Sequence, residues 1–311
     1  MKIVLKAKAV LFFLFVCVLT NAIAQNASFN TQYLFNLLQI NPAYSGTSER
    51  IEIVGGTKLQ WFGGLEGTPI THYLSANTLI GSSNVGIGTS FNHESIGPIK
   101  NTSLLLDVSY HVQLNKEQYL SLGMKAGGAF FALNLNEVDA LDLGDEFLQG
   151  NKNQLLGVIG LGAFYYSESV YLGASAPSFF TSKLSIIDTS QSSFQQSQPN
   201  YLIAGTIIQL NNRDWKTRPS VLYRIEDNLP NILDINNQFI YKDKYWFGLG
   251  YKSSKDLVLI TQVKHNDFKF GYSFNYPISG ASKLSNFQTH ELLISYSFLK
   301  KSSIYVSPRF F

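Results

Sequence analysis

The sequence predicts an all-β fold, a transmembrane antiparallel outer-membrane β-barrel of about fourteen strands led by a short helical N-terminal segment. Three observations predict it. The N-terminus reads as an export signal, and no later apolar run is long enough for a membrane helix. Most of the remaining chain alternates apolar or aromatic residues with small or polar ones, which is the period of a strand. The breaks between strands are alternately short and long, the rhythm of periplasmic turns and outer loops.

Lys2, Lys6 and Lys8 form a positive n-region, residues 9–19 an apolar h-region, and Ala22-Ile23-Ala24 an A-x-A cleavage site. Residues 1–24 are therefore expected to be a signal peptide cleaved after Ala24, and the mature chain to begin at Gln25. Cys17, the only cysteine, leaves with it, so no disulfide and no Cys-based metal site is expected. The chain carries 24 basic and 21 acidic residues, and losing three lysines leaves 21 against 21. That balance gives no electrostatic case for a nucleic-acid partner.

Residues 25–49 form an N-terminal periplasmic or plug segment. Thr31 is placed to cap a short helix whose body is Gln32, Tyr33, Leu34, Phe35, Leu37 and Leu38. Asn41-Pro42 stops it, because proline pushes the residue before it out of the helical region. Gly46 frees the backbone to turn into the first strand. The apolar side chains here are too many to leave in water, so they pack against the barrel wall or another protein. A barrel of this width has room for a plug. Gln32, Tyr33, Phe35, Asn36, Asn41, Pro42, Tyr44 and Gly46 are the candidate partner-binding residues, expected at the periplasmic mouth as part of a docking surface.

The barrel occupies residues 50–299, with strands expected at 50–61, 71–80, 84–96, 102–114, 118–133, 155–167, 170–179, 201–210, 218–226, 232–241, 245–253, 257–265, 268–277 and 290–299. In the fourth, Leu104, Leu106, Val108, Tyr110, Val112 and Leu114 share a face opposite Asp107, Ser109, His111 and Gln113. In the thirteenth, Phe268, Phe270, Tyr272, Phe274 and Tyr276 oppose Lys269, Gly271, Ser273 and Asn275. Alternation alone fits a soluble sandwich equally well. Connection lengths favour the barrel. Those at 81–83, 115–117, 168–169, 211–217, 242–244 and 266–267 are short, whereas the other side holds the long ones, 62–70, 134–154, 180–200 and 278–289. Both termini then face the periplasm, and residues 300–311 form a C-terminal tail. Trp61, Trp215 and Trp246 suit interfacial girdles. Lys216, Arg218, Lys242, Lys244, Lys300 and Lys301 gather on the periplasmic side, toward lipid phosphates or an acidic partner.

Residues that carry chemistry are sparse. His72, His93, His111, His265 and His290 show no metal-ligand spacing, and no Gly-x-Ser-x-Gly elbow is present. Gly86, Gly88, Gly123, Gly127, Gly128, Gly157, Gly160 and Gly162 lack a P-loop lysine, and strand glycines more simply allow bends and close backbone approach. The acidic residues of 134–154 lack EF-hand spacing. No enzyme activity, cofactor or metal is expected.

Several blocks together carry a family likeness. They are Gln32-Tyr33-Leu34-Phe35-Asn36 with Asn41-Pro42-Ala43-Tyr44-Ser45-Gly46; Leu59-Gln60-Trp61 with Gly67-Thr68-Pro69; Val108-Ser109-Tyr110-His111-Val112; Arg218-Pro219-Ser220; Tyr245-Trp246-Phe247-Gly248-Leu249-Gly250-Tyr251; and Gly271-Tyr272-Ser273 before His290-Glu291-Leu292. In this order they resemble the PorP/SprF family, outer-membrane proteins of the type IX secretion and gliding machinery of Bacteroidetes. The resemblance implies an accessory barrel, partnered by outer-membrane lipid, type IX components and a large adhesin-like substrate whose export or surface attachment it assists. A passive porin or small-solute channel is the alternative that composition and spacing leave open.

Overall fold

The computed structural model describes residues 30–48, 50–62, 67–134, 151–181, 198–227, 229–278 and 288–299. Its strands are β1 (Arg50–Phe62), β2 (Ile70–Leu79), β3 (Val85–Ile96), β4 (Ile99–Gln113), β5 (Tyr119–Asn134), β6 (Asn151–Tyr166) and β7 (Val170–Thr181). Next comes β8, in two pieces (Asn200–Thr206 and Ile208–Gln209), and then β9 (Trp215–Ile225), β10 (Ile232–Tyr241) and β11 (Tyr245–Lys252). β12 (Asp256–His265), β13 (Phe268–Pro277) and β14 (Gln288–Leu299) complete the set. Each strand pairs antiparallel with its sequence neighbours. β1 also pairs β14, from Ile51↔Phe298 to Leu59↔His290, so the sheet closes on itself and leaves no edge. Closure removes the sandwich reading.

The alternation has the sense of a membrane barrel. Along β4, Leu106 is 60% exposed while its neighbour Asp107 is 1% exposed. Leu104, Val108 and Tyr110 share the exposed phase, and Ser109 and His111 the buried one. On β13, Phe268, Phe270, Tyr272 and Tyr276 face outward, whereas Gly271, Ser273 and Asn275 are buried. A soluble sandwich would invert this, because its apolar faces meet each other; here they meet lipid. Two buried ion pairs lie inside, where the cost of desolvation favours pairing: Lys125 with Asp107 at 3.5 Å, and Arg224 with Glu226 at 2.5 Å.

Several boundaries differ from the sequence expectation. Pairing runs out to Ile96↔Ile99, so the connection expected at 97–101 is the two-residue turn Gly97-Pro98. β8 breaks at Ile207: its N–H extends the β7 side of the ladder to the Ser169 carbonyl (2.7 Å), while on the other side the register passes Pro219 of β9, which has no N–H to give. β1 bulges after Leu59, where Trp61 takes a left-handed φ of 57°. Trp246 is not a girdle residue: it lies on the inward phase of β11 and is buried. Arg218, expected among the periplasmic cations, is buried in the lumen. The expected signal peptide, the tail at 300–311 and most of the long connections, including 135–150 and 182–197, lie outside the described residues.

Candidate functional site: the luminal plug

Residues 31–47 lie inside the barrel. They form three short 3₁₀ turns, Thr31–Phe35, Leu37–Gln39 and Pro42–Tyr44, rather than one capped helix. Thr31 does not cap: the N-cap is Asn30, without a side-chain hydrogen bond. Asn36, at φ −150° and ψ 63°, breaks the first turn from the second. A regular helix buries one stripe. This segment is enclosed by wall, and its side chains leave in several directions to meet it. Tyr33, Leu34, Leu37, Leu38, Ile40 and Tyr44 are all buried. They pack on inward-facing apolar residues of β6 to β9, namely Phe164, Tyr166, Tyr171, Ile203 and Leu222. The Tyr44 and Phe164 rings meet edge to face at 5.7 Å.

Polar ties fix the segment at both ends. At its start Glu291 of β14 is the hub. Its carboxylate accepts from the Thr31 N–H (2.7 Å), the Gln32 N–H (3.1 Å) and the Tyr73 hydroxyl (2.9 Å). Gln32 Nε2 also donates to the Glu291 carbonyl (3.0 Å). The Thr31 hydroxyl accepts from Lys252 (3.1 Å), and Asn236 donates to the Tyr33 hydroxyl (3.1 Å). In the middle, Asn36 Oδ1 accepts from Ser75 (3.0 Å), Lys125 donates to the Leu38 carbonyl (3.0 Å), and Ser175 to that of Ile40 (2.6 Å). Arg218 stacks over Phe35, 4.9 Å from the ring centroid.

The Asn41–Gly46 turn is the tightest contact. Asn41 caps it through Oδ1, which accepts from the Ala43 N–H (2.9 Å), and Pro42 sits at the first helical position. Asn41 Nδ2 donates to the Ala163 carbonyl (3.0 Å). The Ser45 carbonyl accepts from Ser109 (2.6 Å) and from His111 Nε2 (2.9 Å), and with that tautomer His111 Nδ1 accepts from Tyr166 (2.9 Å). Gly46 turns out of the seat at φ +72°, with its N–H on Asn77 (3.2 Å). The wall beneath is made of glycine because nothing larger fits. A Cβ on Gly123 would stand 2.5 Å from Ala43 Cα and 2.6 Å from the Pro42 carbonyl carbon. Gly86 lies as close under Ser45, and Gly162 under Asn41.

The structure thus places all eight candidate residues in the lumen. Gln32, Tyr33, Asn36, Asn41, Pro42, Tyr44 and Gly46 are buried, and Phe35 is half-buried under Arg218. In this seated state Phe35 alone among the eight keeps partial exposure. The residues that hold them, Glu291, Lys125, His111, Ser109 and the wall glycines, were not singled out as a site by sequence reasoning. One signal was present: β6 is apolar on both phases, with Leu156, Val158, Phe164 and Tyr166 inward, which a water-filled lumen would not reward. Among the described residues no cluster of His, Cys, Asp or Glu is placed to hold a metal ion.

A family model described as type IX secretion system membrane protein PorP/SprF matches residues 22–296. No curated protein matches the chain. Among solved structures, the monoaromatic hydrocarbon channel CymD is similar at 13% identity and a TM-score of 0.49, over 88% of this chain and 94% of that one. The P. putida toluene transporter TodX gives 11% and 0.43, over 85% and 94%. A mutant of the Rh. blastica porin gives 7% and 0.34, over 80% and 99%. All three scores are below 0.5, and the barrel assignment rests on the strand pairing itself.

Proposed function

The chain belongs to the PorP/SprF family of type IX secretion system membrane proteins, and from that premise we propose that it is an outer-membrane accessory of type IX secretion that helps a large adhesin-like substrate reach or stay on the cell surface. The long-connection end faces outward and the short-turn end faces the periplasm. The barrel acts as a closed anchor rather than a conduit. The observation that carries this is the seated plug. The inward side chains around it, Lys58, Asp107, Lys125, Arg218 and Arg224 among them, are almost inaccessible, whereas those lining a water-filled pore would be wet. This weighs against the passive-porin alternative. A docking role for residues 32–46 belongs to a state in which the segment has left its seat. In the seated state the machinery meets the short-turn end.

Deletion of the gene should remove one or a few large secreted proteins from the cell surface while leaving other exported proteins in place, read by surface proteomics. The purified barrel should pass little steady current in planar bilayers. An unchanged surface proteome together with porin-like conductance would refute the reading. Replacing residues 32–46 with a Gly/Ser linker separates the plug's roles. Docking predicts a folded barrel without secretion of the cognate protein, while normal secretion makes the segment only a stopper.

A further inference from the structure

His72, His93 and His290 share one patch of the lipid face, at the long-connection end of β14 and β1 to β4. Thr57, His72, His93 and Thr102 stand directly opposite one another across β1 to β4. His290, Leu59, Ile70, Ser95 and Lys100 form the next row toward the rim, from β14 to β4. A wall hydroxyl meets each imidazole at Nδ1: Thr57 on His72 (3.0 Å), Thr102 on His93 (2.8 Å) and Tyr272 on His290 (2.8 Å). His72 and Lys100 are exposed, and His93 and His290 half-buried. The strands β2 and β14 end at Ile70 and Gln288, and β4 begins at Ile99, so His72, His290 and Lys100 lie within about 7 Å of the rim. The patch has sharp limits. The row beneath it, Leu74, Phe91 and Leu104, is apolar and exposed. Sideways, the polar row passes into Phe130 and Leu155 on β5 and β6, and into Leu292 on β14. Among the described residues, the outward phase of these five strands carries no carboxylate.

We propose that His72, His93 and Lys100 hold a phosphate of a phosphorylated glycolipid in the outer leaflet, whose acyl chains lie on Leu74, Phe91 and Leu104. The proposal needs the barrel and its orientation but not the secretion role. A hydroxyl that donates to Nδ1 leaves the imidazole proton on Nε2, so the ring presents a donor away from the wall. Directly opposed residues such as His72 and His93 stand about 5 Å apart at Cβ, and Lys100, the diagonal neighbour of His93, about 7–8 Å away, within reach of a long side chain. Two N–H donors and an ammonium on a face without carboxylates suit an anion, and a phosphate takes several such donors at once. A zinc ion needs three or four protein ligands, and among the described residues no such cluster exists. A general interfacial belt would run round the rim, whereas this row turns apolar beyond Thr57 and Thr102. His290, packed by the Phe62 and Phe274 rings at 5.4 and 5.2 Å, stands at the far edge for the rest of the headgroup.

The test is native mass spectrometry of the full-length barrel in detergent, with diphosphoryl lipid A as the probe and its dephosphorylated form and phosphatidylglycerol as comparators. A lipid A adduct is expected to survive detergent removal and to outlast both comparators. Its retention should fall about tenfold or more in the double variant His72→Leu/His93→Leu and in Lys100→Gln, because bonds to a charged group are removed. Thr78→Leu, on the same face of β2 near the periplasmic rim, should leave it unchanged. Leucine is at home on the lipid face and Lys100 lies at a strand end, so heat-modifiable folding should persist in all of them. Equal retention of dephosphorylated lipid A would make the patch an interfacial girdle only. That result, a preference for phosphatidylglycerol, or retention unaffected by both variants would each overturn the proposal.

Discussion

Gly123→Ala is the sharpest test of the plug's seat. The added Cβ would stand 2.5 Å from Ala43 Cα and 2.6 Å from the Pro42 carbonyl carbon. Both are backbone atoms, so no side chain can swing aside. The turn must lift or β5 must bend, and β5 is held on both sides by long ladders to β4 and β6. Overpacking of this kind costs about 1–3 kcal/mol. If the turn yields and the wall does not, the unseated population rises by roughly 5–150-fold. Hydrogen exchange by mass spectrometry reads this, because the Gly46 amide is bonded to Asn77 of the wall only while the turn is seated, and the Asn41, Ala43, Tyr44 and Ser45 amides, bonded within the segment, lose the wall's cover when it lifts. A peptide covering 41–46 should exchange faster by that factor, with the strand peptides unchanged. Gly157→Ala is the control, since a Cβ there meets nothing within 4 Å. Equal protection in Gly123→Ala and Gly157→Ala would refute the close-seat reasoning.

Glu291→Ala should loosen the other end of the plug. It removes the acceptor for two plug amides and for Tyr73, and bonds to a charged group contribute about 1.5–3 kcal/mol each, so exchange should rise at 31–36 more than at 41–46. Leu106→Arg, mid-strand on the lipid face of β4, should cost about 2–4 kcal/mol in refolding into bilayers, and Leu114→Arg, just beyond the strand's end, about 0–1 kcal/mol. Equal costs would argue against a spanning strand. For orientation, Asp227→Cys at the long-connection end should react with an impermeant maleimide on intact cells, and Lys244→Cys in the 242–244 turn should not. Labelling of Lys244→Cys would reverse the topology.

Much of the architecture was legible in the residues themselves. A strand shows its two faces locally, every second side chain, so the period along Leu104–Leu114 or Phe268–Tyr276 places the wall without knowledge of any partner strand. The register of short and long breaks likewise follows from a meander in which each strand pairs its sequence neighbour. The register of the terminal β1–β14 pairing and the contacts that seat the plug did not follow. Trp246 and Arg218 were assigned to the rim from their residue types, yet both point inward, since one step of phase separates lipid from lumen. Gly86, Gly123 and Gly162 read as bends or places of close backbone approach, and only the closed barrel shows what approaches them: Ser45, Ala43 and Asn41. The segment 31–47 has the apolar content of something that must be covered. Its cover is Glu291, 260 residues away along the chain from Thr31, together with Lys125, His111 and Ser175 from three separate strands. No local pattern encodes contacts of that separation. They exist only because ring closure encloses a lumen of fixed width, into which this segment fits without a regular helix.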